Sequence, residues 1–132
     1  MYIFVNKYKT NVTITNKGID KTTFLTINSK EMQKELLLAD EAIAQGSIDG
    51  GLSGVYAYPG TPSTEITEYI QNSKQAKERN IHSHWSSNEK TAMEAALGMS
   101  YAGKRALVCM KHVGMNVAAD CFINTAMTGV NG

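Results

Sequence analysis

Cysteine and proline are both scarce in this chain, with two of each in 132 residues. Cys109 and Cys121 make neither a disulfide framework nor a Cys-x-x-Cys cluster motif. Each sits in an apolar run, where cysteine is expected to pack as a small core residue. An excess of charge is missing too. Thirteen basic against twelve acidic side chains leave +1, so bulk electrostatics point to no nucleic-acid partner and no membrane surface. No apolar run approaches the roughly 18 residues needed to cross a bilayer, and the N-terminus lacks the continuous apolar core of a signal peptide. The expectation is a cytoplasmic chain with a single domain. Its 42% hydrophobic content is ordinary for a soluble protein and supports a modest core.

Because proline is scarce, its placement is informative. Both prolines fall in Tyr58-Pro59-Gly60-Thr61-Pro62-Ser63-Thr64-Glu65, between the apolar run Gly54–Tyr58 and a helix-compatible run from Ser63. Proline fixes φ and donates no hydrogen bond, so Pro59 is expected to end a strand and Pro62 to lie at the turn or the first helical position. Gly60 between them permits backbone conformations closed to other residues. The predicted product is a stiff strand–turn–helix elbow that holds Thr61 in a fixed place. In parallel α/β sheets, ligands bind at such carboxyl ends of strands.

The chain changes character near residue 30. Residues 1–30 are rich in Thr, Asn and Lys, with short β-prone runs at Tyr2–Val5, Asn11–Thr15 and Thr22–Ile27. They predict a small hairpin or a mobile arm and carry no functional reading. From residue 31, helical and strand patterns alternate. Asp40 is the expected N-cap of a helix that Gly50-Gly51 stops. Val55–Tyr58 predicts a strand. Ser63 to Arg79 predicts one amphipathic helix with Ile66, Tyr69, Ile70, Ser73 and Ala76 on one face. Ile81–Trp85 predicts a second strand. Asn88 to Ala102 predicts a well-buried helix ended by Gly103. Arg105–Met110 predicts a third strand, whose continuous apolar run suggests a central position covered on both faces. Gly114 to Thr128 predicts a last helix ended by Gly129. This order argues for right-handed βαβ crossovers and a parallel sheet. Three strands are few for such a sheet, which suggests part of a larger domain or an obligate partner of another chain.

A parallel sheet brings three loops to its carboxyl edge: Pro59–Pro62, Ser86–Glu89 and Lys111–Asn116. They carry Thr61, Asn88, Glu89, Lys111, His112 and Asn116. Glu89 has two readings. Ser86-x-x-Glu89 fits a capping box, in which the Glu satisfies the N-cap amide. Alternatively, Glu89 is a carboxyl held at a ligand pocket among apolar neighbours such as Trp85 and Met93. Lys111-His112 before Gly114 suits an anionic group at a helix start, or is a solvated turn. His82-x-His84 with His112 offers a zinc geometry, but no acidic or cysteine ligand stands at suitable spacing, so no metal site is expected. Cys109 with His112 can be read as a nucleophile–base pair, although Cys109 lies inside the apolar strand.

Five segments occur in order and at characteristic spacing: LLLADEAIAQG at Leu36–Gly46, YPGTPSTEI at Tyr58–Ile66, WSSNEK at Trp85–Lys90, ALVCMKHVGMN at Ala106–Asn116, and Thr128-Gly129-Val130. Together they resemble the start of the large subunit of indolepyruvate ferredoxin oxidoreductases, in the thiamine-diphosphate-dependent 2-oxoacid:ferredoxin oxidoreductase family. The resemblance covers about residues 36–132. It implies a three-layer α/β/α domain that binds the cofactor's pyrimidine. Residues 31–132 would form this domain in incomplete form, and residues 1–30 would be an atypical arm. A glutamate after the second strand of such domains hydrogen-bonds N1′ of the aminopyrimidine, and Glu89 holds the matching position. Thr61 matches a threonine near the substrate's keto or carboxylate group, with Lys111 and His112 beside it. Tyr58, Pro59, Gly60, Asn88, Gly114 and Asn116 are the implied cofactor contacts.

The resemblance further implies oxidative decarboxylation of indolepyruvate or another arylpyruvate to an acyl-CoA. Thiamine diphosphate would lie in a site shared with a diphosphate-binding domain. Mg²⁺ and 4Fe-4S clusters are expected only in parts outside this chain. The implied partners are that diphosphate-binding domain, the small subunit, ferredoxin and coenzyme A, in a homo- or hetero-oligomer. The chain alone is expected to be inactive. The contrasting expectation is a non-catalytic, truncated α/β interaction module.

Overall fold

The computed structural model describes residues 2–8 and 32–130. They hold five strands and five helices, which alternate except that β1 is followed by β2 and α2 by α3. Strand β1 (Tyr2–Tyr8) pairs antiparallel with β2 (Met32–Leu38), with Tyr2 opposite Leu38 and Tyr8 opposite Met32. The β-prone run at Tyr2–Val5 lies in β1; those at Asn11–Thr15 and Thr22–Ile27 fall outside the described residues. Strand β2 was not apparent in the sequence.

Helix α1 (Ala39–Asp49) starts two residues earlier than expected. Its N-cap is Leu38, not Asp40, because the Glu41 carboxylate reaches back and accepts from the Leu38 N–H at 2.9 Å. Asp40 and Glu41 both lie in the first turn, where acidic charge complements the helix dipole. At the other end Arg79 donates to Ile48 O at 2.7 Å and Arg105 to Gly50 O. Two guanidinium groups therefore meet carbonyls left open at the helix C-terminus.

The central sheet is parallel. Strand β3 (Gly54–Ala57) lies between β4 (His82–Trp85) and β5 (Ala106–Cys109). Gly54 is level with His82 and Ala106, and Ala57 with Trp85 and Cys109. The central strand is thus β3, all four residues of which are buried, and not β5 as its apolar run suggested. Among the described residues β5 is an edge strand, with Ala106, Leu107 and Val108 only half-buried. At β5 the continuous apolar run therefore reports neither lateral position nor full cover of the faces.

Side chains alternate across β3 and so divide the core. Val55 and Ala57 join Cys109 and meet Ala44 and Ile48 of α1 and Ile66 and Ile70 of the next helix. Tyr56 turns the other way and meets Ala92 and Ala96 of α4 (Glu89–Tyr101). Gly54 faces the same side: a side chain there would meet Met99 at 2.7 Å. Helices therefore flank both faces, in the expected three layers.

Two helical expectations need correction. The helix expected over Ser63–Arg79 is two, α2 (Thr64–Asn72) and α3 (Lys74–Glu78). Ser73 leaves helical geometry (ψ 126°), and its hydroxyl accepts from the Ala76 N–H, so it caps α3. The apolar face passes through the break because Ile66, Ile70 and Ala76 all remain buried. Helix α4 buries only one stripe, Glu89, Ala92, Ala96 and Ser100, while Glu94 and Ala95 are exposed. Helix α5 (Gly114–Thr128) ends as expected at Gly129, whose φ of 70° is the left-handed conformation of a glycine C-cap. It packs on α4, and Lys90 of α4 reaches Asp120 of α5 at 3.1 Å.

Polar groups tie α1 to the α2–α3 pair. Buried Gln45 accepts from Tyr69 Oη and donates to Asp49 Oδ1 and Gln75 Oε1, each at 3.0 Å. Burial pushes the Tyr69 hydroxyl up, and the nearby carboxylates Glu35, Glu41 and Asp49 add to the shift. The Thr67 hydroxyl is the exception. It is fully buried and has no hydrogen-bond partner among the described residues. An unsatisfied buried hydroxyl costs about 1–3 kcal/mol, so Thr67→Val is expected to stabilise the chain by about 1 kcal/mol. Thermal unfolding checks this: the midpoint should rise by several degrees.

Candidate functional site

The first wall of the site is the elbow after β3. Its backbone is fixed locally. The Gly60 N–H donates to Thr64 Oγ1 at 2.9 Å, and Gly60 O accepts from the Ser63 N–H at 2.9 Å and the Ser63 hydroxyl at 3.0 Å. The Thr61–Pro62 peptide bond is cis. Tyr58, Pro59, Thr61 and Pro62 are exposed at the carboxyl edge of the sheet. The residues that fix the turn, Ser63 and Thr64, were not singled out from the sequence. Their signal is the hydroxyl side chain after proline, which readily bonds nearby backbone.

The second wall is the β4–α4 loop. It is joined to the first by the Ser86 N–H, which donates to Ala57 O at 2.7 Å. Helix α4 begins at Glu89 with Asn88 as N-cap. Asn88 Oδ1 accepts from the Thr91 N–H at 2.9 Å, and Thr91 Oγ1 accepts from the Asn88 N–H at 3.3 Å. The capping box is therefore Asn88-x-x-Thr91, and Ser86-x-x-Glu89 is not one. The sequence does carry the signal, since Asn ranks with the strongest N-caps. The capping-box reading of Glu89 is overturned, since its carboxyl caps nothing, while its place in the first turn does suit the helix dipole. Glu89 is 8% exposed, and its carboxyl makes no hydrogen bond or ion pair among the described residues. Asn88, expected among the cofactor contacts, has its side-chain oxygen committed to the cap. Trp85 packs against the core on the α1–α2 side and donates to Gln71, so it does not share α4's face of the sheet.

The third wall is the β5–α5 loop. Lys111 and His112 are exposed and make no hydrogen bond or ion pair through their side chains among the described residues. The Lys111 stem passes over the elbow: a side chain on Gly60 would meet its Cβ, Cγ and Cδ at 3.5 Å. The start of α5 is less open than an anion site requires. The N–H groups of Gly114, Met115 and Asn116 already donate to Lys111 O, His112 O and Val113 O. Asn116 is exposed in the first turn. Gly114 is buried directly against Glu89. A side chain there would meet Glu89 Oε1 at 2.6 Å, Cγ at 2.7 Å and Cδ at 2.9 Å.

The structure thus brings Glu89, Gly114, Gly60 and Lys111 into one neighbourhood through direct contacts, with Thr61 presented beside them. It does not bring Cys109 into it. Cys109 is buried under α2, and burial pushes its thiol up. The Thr67 hydroxyl beside it offsets this only in part, without a hydrogen bond of full geometry. A thiol with a raised pKa holds little thiolate, the reactive form. A thiol-directed reagent at neutral pH is therefore expected to leave Cys109 unmodified in the folded chain and to label it after denaturation; rapid labelling when folded would contradict this. His82 and His84 stack on each other at 6.2 Å on exposed β4, and among the described residues no group of three or more His, Cys, Asp or Glu side chains is placed to hold a metal. No helix of the described residues is long and apolar enough to cross a membrane.

Comparison with known proteins bears on this edge. The family described as "Pyruvate flavodoxin/ferredoxin oxidoreductase, thiamine diP-bdg" matches residues 45–130. The chain is 44% identical over 112 residues to the indolepyruvate oxidoreductase subunit IorA of Pyrococcus horikoshii, covering 85% of this chain and 17% of that protein. It is 44% identical over 108 residues to the subunit of the same name from Archaeoglobus fulgidus, covering 80% and 17%. A third such subunit, from Methanothermobacter thermautotrophicus, is 42% identical over 104 residues, covering 79% and 16%. The chain thus spans about a sixth of the length of these relatives.

Proposed function

The chain belongs to the pyruvate flavodoxin/ferredoxin oxidoreductase family, in its thiamine diphosphate-binding part, and from that premise we propose that it forms the pyrimidine-side wall of a 2-oxoacid oxidoreductase site. The observation that carries the proposal is Glu89: a residue only 8% exposed at the carboxyl edge of the sheet, its carboxyl free of any capping duty and without a hydrogen-bond partner among the described residues. A carboxyl in that state suits an aminopyrimidine, because it can share a proton with a ring nitrogen away from bulk water. Thiamine diphosphate, when bound, supplies the electron sink for decarboxylation of a 2-oxoacid.

The chain's own residues have distinct tasks in this reading. Glu89 holds the proton at the ring nitrogen. The Tyr58–Pro59–Gly60 backbone and Gly114 shape the wall, with Asn116 at the start of α5 and Asn88 fixing α4. Thr61 offers a hydroxyl to the substrate's keto or carboxylate group. Lys111 and His112, exposed and unpaired among the described residues, offer positive charge and a hydrogen-bond donor to the same carboxylate. The substrate class is an arylpyruvate such as indolepyruvate, in keeping with the names of the relatives. The diphosphate, its Mg²⁺ and the 4Fe-4S clusters are assigned to other parts of the enzyme, with a small subunit, coenzyme A and ferredoxin as partners. The place of action is the cytoplasm.

A second reading draws on a different observation. Phe122, Ile123 and Met127 of α5 are 50%, 58% and 78% exposed, as expected of an α/β module that binds a partner and has no chemistry of its own. The two readings separate on Glu89→Gln in an enzyme assembled around this domain. The catalytic reading requires 2-oxoacid oxidation to collapse. Activity near that of the unaltered enzyme would overturn it and leave the interaction module.

A further inference from the structure

We infer that Gly114 is a positioning residue for Glu89, and that its missing side chain is the socket in which the Glu89 carboxyl sits. The inference rests on Glu89 being the carboxyl that meets the aminopyrimidine, and it adds what holds that carboxyl in place. Three observations converge. All three atoms nearest to a side chain built on Gly114 belong to Glu89, at 2.6, 2.7 and 2.9 Å. Real side chains essentially never approach so closely, so the two residues cannot both have side-chain atoms there. The Gly114 backbone is itself anchored by its N–H to Lys111 O at 2.9 Å. The Glu89 carboxyl has no hydrogen bond that would hold it in place instead.

A carboxyl without polar partners is oriented by steric contact alone. The contact comes from a different element, the first turn of α5, so α5 sets the rotamer of a residue on α4. Helix α4 fixes the start of the side chain through the Asn88–Thr91 cap. Gly114 then leaves room for the carboxyl beside α5. Glycine is needed at this position for space, since α5 is regular from Gly114 onward. Any larger residue pushes the carboxyl away from where it rests. A displacement of about 1 Å at a reacting group costs on the order of 10²-fold in rate.

The test has two arms. Thermal unfolding of the chain is compared for the unaltered protein, Gly114→Ala, Glu89→Ala and the double variant. Gly114→Ala is expected to lower the midpoint by several degrees when Glu89 is present. In the Glu89→Ala background the same change should cost less than about one degree, because the colliding atoms are gone. If Gly114→Ala alone fails to fold, recovery of folding in the double variant gives the same support. Equal losses in both backgrounds, or no recovery, overturn the inference.

In the assembled enzyme, the second arm follows deuterium exchange of the acidic C–H of bound thiamine diphosphate. Gly114→Ala and Glu89→Gln should each slow it by roughly 10²-fold, and the combination should be no slower than the worse of the two. Slowing by Glu89→Gln alone overturns the role of Gly114 and leaves that of Glu89. No slowing by Glu89→Gln overturns both roles.

Discussion

Glu89→Gln lowers 2-oxoacid oxidation by roughly 10²–10⁴-fold, the usual range for losing a positioned proton-transfer group, while the fold survives. The substitution changes no shape. Glutamine fills the space against Gly114 as glutamate does, and the Asn88–Thr91 cap does not involve the side chain at 89. It removes only the ability to share a proton with a ring nitrogen. Stability should hold within about 0.5 kcal/mol, because the shape is kept and no capping bond of the side chain at 89 is lost. Steady-state kinetics on the assembled enzyme, with an unfolding scan of the same preparation, check both halves. Retained activity, or lost activity through a large fall in the unfolding midpoint, would each contradict the role given to Glu89.

The elbow was legible in the sequence because proline and glycine restrict the backbone locally, and two prolines around Gly60 leave few conformations for the chain between them. The strand at Val55 and the helices at either side were legible for a similar reason: their periodicity is written in neighbouring residues. Ser73 defeated that reading. It falls on the apolar face of a helical wheel, and the face continues through the break into Ala76, so the pattern gives no sign that the helix stops. Strand β2 escaped because Gln33, Lys34, Glu35 and three leucines are good helix formers, and its partner β1 lies far back in sequence. The edge position of β5 is a matter of strand order, which no local pattern encodes.

The candidate site shows the same division. Residues at the ends of strands were placed correctly once the sheet was taken as parallel. The contact between Gly114 and Glu89 joins two helices 25 positions apart in sequence and is visible only after folding. The capping error at Ser86 is instructive. Two overlapping cap patterns compete there, and Asn88 wins because its side chain and that of Thr91 satisfy each other's backbone N–H groups. That outcome leaves the Glu89 carboxyl out of the cap.

Ile70→Ala is expected to cost about 2–5 kcal/mol, the usual penalty for truncating a large buried aliphatic side chain. Ile70 is 1% exposed and sits in the cluster with Ile48, Val55, Ile66 and Cys109. A single domain holds only about 5–15 kcal/mol in total, so this one change removes a large share. Helix α2 makes the loss severe. Its nine residues are too few to be helical alone, and Ile66 and Ile70 are its buried apolar anchors. The damage should reach the elbow, because Thr64 at the start of α2 accepts the Gly60 N–H that fixes the turn. Loosening α2 therefore frees Thr61 as well as lowering stability. Urea unfolding should show a much lower midpoint with an unchanged slope. The control is Ile123→Ala on α5, where a residue 58% exposed should change stability by less than about 0.5 kcal/mol. A loss below 1 kcal/mol at Ile70, or a loss at Ile123 to match it, would mean that the core has been placed on the wrong side of the sheet.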